Sequence, residues 1–172
     1  RFEGRPYFGG HYGDSFDNHY ELFSASGMDF LVLHLEYDDS PEEDVLNWAD
    51  TVLKEHPDRR ALVSMHYLTG TGDPAEFGPQ GQAVYDALKD NPSLFLMLGG
   101  HISGEGRRTD TFEGNTVYSL LSDYQGRENG GNGWLRILRF SPERDRIQVE
   151  TYSPYLNDGK GAWERDPDSA FE

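Results

Sequence analysis

Arg60-Ala61-Leu62-Val63-Ser64-Met65-His66 and Leu94-Phe95-Leu96-Met97-Leu98-Gly99-Gly100-His101 follow one pattern, an apolar run that ends in a histidine. A short apolar run bounded by turn residues reads as a strand covered on both faces, the kind found in a parallel or mixed sheet. Ligands of open α/β sheets collect just past the carboxyl ends of such strands. The two runs are separated by a helix-length connection, so their strands are expected to be neighbours and to deliver His66 and His101 to the same edge. Two imidazoles there form half of a transition-metal site. Gly99-Gly100 gives the second run a close backbone approach.

Working outward, the order of elements is that of a βαβ sheet. Tyr20–Ala25 and Met28–Leu35 read as strands around a Ser26-Gly27 turn. Ser40-Pro41-Glu42-Glu43 predicts a helix start, with Ser40 as cap and Pro41 in the first turn. Val45, Leu46, Ala49, Val52 and Leu53 form its apolar stripe, and His56-Pro57 ends it. A second helix is expected from Gln80 to Lys89, closed by Asn91-Pro92. Strand, helix, strand, helix, strand predicts a parallel sheet. Beyond His101 the pattern becomes hairpins, one turning at Glu113-Gly114-Asn115 and one between Trp134–Phe140 and Arg146–Tyr152. Residues 1–19 show neither strand nor helix period and read as an aromatic loop. Residues 153–172 read as a polar tail, wrapped or loose. No repeat and no internal boundary is visible, so residues 1–172 are taken as a single, partial domain.

The bulk numbers exclude several functions. A formal charge of −16 over 172 residues opposes a nucleic-acid backbone or an anionic membrane surface. A phosphate ester is still admissible, because a bound divalent cation inverts the local field. There is no cysteine, hence no disulfide framework and no thiolate chemistry. No apolar run approaches the ~18 residues of a membrane span. The acidic, arginine-rich composition points to an extracellular or periplasmic setting, although no signal peptide is visible. The chain opens on Arg1, which is expected of a processed or truncated start.

Gly99-Gly100-His101-Ile102-Ser103-Gly104-Glu105-Gly106-Arg107-Arg108 carries a family likeness. With His66, and with the strings Ser122-Asp123-Tyr124-Gln125-Gly126 and Gly130-Gly131-Asn132-Gly133-Trp134-Leu135-Arg136, it resembles the calcineurin-like metallophosphoesterases, and within them a branch of bacterial, often secreted members. The resemblance implies an α/β fold of mixed sheets with flanking helices, the second half of a four-layer αββα sandwich. It implies phosphomonoester or phosphodiester hydrolysis by two divalent transition-metal ions about 3.5–4 Å apart. His66 and His101 would hold one of these ions. The family's Gly-His-x-His string has Ser103 as its last residue here, a possible second-metal position filled by a poor ligand. The family's upstream carboxylate motifs do not occur before His66. At most one ion is therefore expected, the catalytic group is left unassigned, and the chain alone is expected to be impaired. A missing amino-terminal half or another chain would complete the site around a phosphate-ester substrate.

Arg107, Asp123 and Tyr124 are possible substrate contacts, though ion pairing or hairpin packing is the reading favoured for them. Extended geometry would place positions 101 and 103 on one side. Glu36, Asp38 and Asp39 follow a strand and could approach the same edge, while His11 and His19 could overhang it. His34, inside an apolar strand, is expected to be a sheet histidine. Two other classes stay open. One is a non-catalytic binding or structural remnant of the fold. The other is a serine ester hydrolase using Asp14-Ser15, whose Gly13-Asp14-Ser15 string resembles that of lipase-like enzymes.

Overall fold

The computed structural model describes residues 3–172. Its centre is a seven-stranded sheet in the order β1-β2-β3-β4-β5-β7-β6. The strands are β1 (Phe8–His11), β2 (His19–Ala25), β3 (Met28–His34), β4 (Arg60–Ser64), β5 (Leu94–Gly99), β6 (Gly104–Phe112) and β7 (Asn115–Asp123). β3, β4, β5 and β7 are parallel neighbours, and antiparallel pairs flank them on both edges. The apolar runs lie in the middle of the sheet, where both faces are covered. The chain is therefore mixed α/β, with a largely parallel sheet and flanking helices.

Helices α1 (Glu43–Glu55) and α2 (Pro79–Leu88) cover one face. Ala49, Val52 and Leu53 of α1 and Val84, Tyr85 and Leu88 of α2 pack on Leu31, Leu33, Ala61, Val63 and Met97. A three-stranded sheet covers part of the other face: β8 (Leu135–Ser141), β9 (Arg146–Ser153) and β10 (Ala162–Glu164), in the order β10-β9-β8. Val149, Leu138, Ile147 and Phe171 meet Phe30, Phe95, Leu96 and Leu120 across that interface. The described residues thus build three layers. One irregularity sets the side-chain pattern of β5. Ala61 pairs with Leu94 but Leu62 pairs with Leu96, so one extra residue lies in β5. Leu94 and Met97 consequently face the helices while Phe95, Leu96 and Leu98 face the small sheet.

Two local expectations need correction, and a third is decided between its alternatives. The first helix begins at Glu43, with Glu42 in extended conformation at its cap and no side-chain cap bond. Ser40 lies upstream because its N–H is taken by the Asp38 carboxylate at 2.9 Å, a local bond that competes with helix initiation. The aromatic loop contains β1, hidden from periodicity by Gly9-Gly10. Tyr20 lies so close to Gly9 that a Cβ there would come within 2.1 Å of its ring. The tail is wrapped rather than loose: β10 pairs with β9, and Phe171 exchanges backbone hydrogen bonds with Val149 at 2.8 and 3.1 Å. Among the described residues no helix is long and apolar enough to cross a membrane.

Candidate functional site

His66 lies two residues beyond β4 and His101 two beyond β5. Backbone bonds hold the two loops together: Met65 N–H donates to Leu98 O at 3.0 Å, and Gly100 N–H donates to His66 O at 2.9 Å. Gly99 lets buried Leu68 lie against the strand, since a Cβ there would come within 2.4 Å of the Leu68 Cβ. His101 then turns through the left-handed region at φ 72°. The outcome is a pair of exposed imidazoles whose His66 Nε2 and His101 Nδ1 are 2.9 Å apart, the separation of a hydrogen bond between a protonated and a bare ring nitrogen.

Two tyrosines frame the pair. Tyr67 lies with its ring centre 4.4 Å from that of His101. Tyr37 stacks on His101 at 5.4 Å and meets His66 edge-on at 5.1 Å. A hydrogen bond to Asp39, reinforced by partial burial and that carboxylate's charge, raises the Tyr37 hydroxyl above its ordinary pKa. The buried Gln80 fastens the frame: its Nε2 donates to Glu36 O at 2.6 Å, and its Oε1 accepts from Tyr67 N–H at 3.1 Å. Tyr37, Tyr67 and Gln80 were not singled out in the sequence. The tyrosines did carry a usable signal, because each follows a strand at its carboxyl end. A glutamine in the first turn of a helix carries none.

The histidines open into a basin of about 480 Å³. The end of β7 and the loop after it supply the rest of its lining, from Ser122 to Gln125 and then Gly130, Gly131, Gly133 and Trp134. Asp123 Oδ1 accepts the Gln125 N–H at 2.9 Å. Asp123 Oδ2 lies toward Gly100, 3.9 Å from where a Cβ would stand.

Tyr124 contributes to the wall, but its hydroxyl donates to Glu105 Oε1 at 2.7 Å and lies 3.2 Å from the Thr151 hydroxyl. Arg107 is not part of the lining; it pairs with Asp73 at 2.7 Å and lies over the Phe171 ring. Ser103 is also outside the lining and packs on Gly126. The alternation expected between 101 and 103 fails because the segment is a turn: His101 is left-handed, and Ile102 N–H bonds to Gly100 O at 3.0 Å.

The Glu36 carboxylate accepts from Asn18, and Glu36 and Asp38 line a separate narrow cleft beside α1 and α2. His11, His19 and His34 form a ladder across β1, β2 and β3 and do not line the basin. His34 stacks on His19 at 4.6 Å. Burial, followed by the neighbouring His19, lowers its pKa against the opposing pull of Glu21. Ser15 is exposed and donates to Asp17 at 2.5 Å.

No family model matches the chain. An uncharacterized protein of Bacillus subtilis strain 168, YvnB, is 36% identical over 160 residues, a stretch covering 86% of this chain. The match spans 12% of YvnB, so the chain corresponds to a small part of that protein's length. Among solved structures, a dimetal phosphatase from Danio rerio is 17% identical with a TM-score of 0.47, over 81% of this chain and 55% of its own. A putative 5'-nucleotidase from Staphylococcus aureus is 13% identical with a TM-score of 0.47, over 87% of this chain and 31% of its own. GAP50, the anchor in the inner membrane complex of Plasmodium, is 12% identical with a TM-score of 0.43, over 79% and 46%.

Proposed function

We propose that the chain carries part of a metal-dependent phosphoesterase site, in which His66 and His101 ligate one divalent transition-metal ion. The observation that carries this reading is the 2.9 Å approach of His66 Nε2 to His101 Nδ1 at the carboxyl ends of adjacent parallel strands. One ion reaches both nitrogens, since two bonds of about 2.1 Å span more than that separation. The donor set is partial. Among the described residues no group of three or more His, Cys, Asp or Glu converges on a metal position.

The bound ion would supply Lewis acidity toward a phosphoryl oxygen. The chain's own residues hold that position. The two histidines place ring nitrogens at that position, Tyr37 and Tyr67 pack against their rings, and Gln80 fixes the Tyr67 backbone. The net reaction consumes one water: a P–O bond forms to the water oxygen, the ester P–O bond breaks, and the alcohol leaves with a proton.

Calorimetric titration with Zn²⁺ or Mn²⁺ tests the reading, followed by assay of an aryl phosphate ester. One equivalent should bind. His66→Asn and His101→Asn should each weaken it tenfold or more, about 1.4 kcal/mol or above. Asparagine tolerates the left-handed backbone at 101, which keeps the second variant folded. Equal affinity in wild type and both variants would sink the proposal. The chain alone is expected to turn over aryl phosphate poorly, because the upstream carboxylates are not among its residues.

A further inference from the structure

The histidines account for one part of the basin. The remainder has a different chemistry. Among the lining residues, Asp123 is the one with a full negative charge and none is lysine or arginine. The nearest arginine along the loop, Arg127, lies over the ring of Tyr124, a lining residue, and is neutralised by Glu164 at 2.6 Å and Glu105 at 3.4 Å. Trp134 is half-buried in the wall. Elsewhere this protein covers aromatic faces with cations: Arg165 lies 5.1 Å over Trp163, and Arg108 lies 3.7 Å over Phe77. Among the described residues no cation lies over Trp134. An indole without a cation and a carboxylate, both in the lining of one basin, attract a positive group through the ring quadrupole and through charge. The chain's charge of −16 works in the same direction.

We propose that Asp123 and Trp134 form a subsite for an ammonium group, primary or quaternary, so that the substrate is a phosphate ester of a positively charged alcohol. The phosphate half of this statement rests on the phosphoesterase reading; the ammonium subsite does not.

The test has two arms. In the first, intrinsic tryptophan fluorescence of the full chain is followed during titration with choline chloride, with sodium chloride at equal ionic strength as reference. A saturable change is expected with choline alone. Trp134→Leu should abolish both this change and calorimetric choline binding, Trp134→Phe should retain weaker binding by calorimetry, and Asp123→Asn should raise the half-saturation concentration about three- to tenfold. Trp48 and Trp163 still report in the variants and show whether the fold is intact. In the second, the metal-loaded chain receives p-nitrophenyl phosphorylcholine, a zwitterion, or p-nitrophenyl phenylphosphonate, a monoanion, each with one anionic phosphorus group and the same leaving group. The choline ester should be preferred about tenfold in kcat/KM, and Trp134→Leu should bring the ratio close to one.

The inference is overturned if choline produces no saturable change, if the change persists in Trp134→Leu, or if wild type prefers the phenyl ester. Choline binding at Trp134 in a chain that takes up neither Zn²⁺ nor Mn²⁺ in the calorimetric titration would support the subsite and reject the metal-site reading.

Discussion

Glu105→Ala should cost the fold about 3–5 kcal/mol, the range for removing one member of a buried ion pair. For a chain of this size that is a fall of about 6–20 °C in melting temperature, measurable by circular dichroism. Glu105 and Arg136 are 7% and 6% exposed and pair directly between β6 and β8, that is, between the two sheets. Around them Tyr124 and Ser169 each donate to the carboxylate at 2.7 Å, Thr151 donates at 3.3 Å and Arg127 lies at 3.4 Å. Truncation strands the Arg136 charge, and its desolvation is then uncompensated. It also releases Tyr124, whose backbone begins the basin loop. Burial alone would raise the Glu105 pKa, but the Tyr124 and Ser169 hydrogen bonds and the Arg136 charge outweigh it and hold the carboxyl below its ordinary value. A carboxyl depressed in the folded state contributes stability above its unfolded pKa, and that contribution is lost as pH falls through the folded value. The wild type should therefore lose stability below about pH 4.3, and Glu105→Ala should lose less over the same interval. Single Glu105→Ala and Arg136→Ala changes whose effects add fully in the double variant would refute the coupling.

How much of this was legible depends on where each residue's partners lie. β4 and β5 are covered on both faces, so nearly every side chain is apolar and the runs announce themselves. His66 and His101 end those runs, and because the strands are parallel neighbours their loops emerge side by side. The extra residue in β5 was not legible: Leu94 to Leu98 are all apolar, and an unbroken apolar run shows no alternation from which a slip can be read. β1 was concealed for a different reason, since Gly9-Gly10 exists to admit the Tyr20 ring and leaves no side chain to alternate. Glu105 reads as a solvated charge between two glycines. Its partners Arg136, Thr151 and Ser169 lie 31, 46 and 64 residues away, beyond any local pattern. Trp134 reads as the first residue of a hairpin strand, but the strand begins at Leu135, and the residue's place in the basin lining is a property of the folded surface.

Gly81→Ala separates two effects of opposite sign. Helix propensity favours alanine over glycine by ~1 kcal/mol, so an exposed helix site would gain stability. Gly81 is buried in the first turns of α2, and a Cβ there would stand 1.9 Å from the Leu68 carbonyl oxygen. That oxygen cannot move aside cheaply, because it accepts the Gly78 N–H at 2.8 Å and the Leu68 side chain is fully buried. Overpacking of this kind costs ~1–3 kcal/mol and occasionally more; an obstacle made of backbone points to the upper end. The net expectation is a loss of about 2 kcal/mol or more, read by denaturant unfolding. On the proposed metal-site reading, the same substitution should weaken metal binding. To relieve the contact α2 must shift from residues 66–70, and the Gln80 bond to Tyr67 N–H shifts with it, so the His66 ring loses its fixed position beside His101. A variant as stable as wild type with unchanged metal affinity would show that the start of α2 does not anchor the site. A stable variant with weakened affinity would show that the segment yields, and that His66 is positioned by this contact rather than by β4 alone.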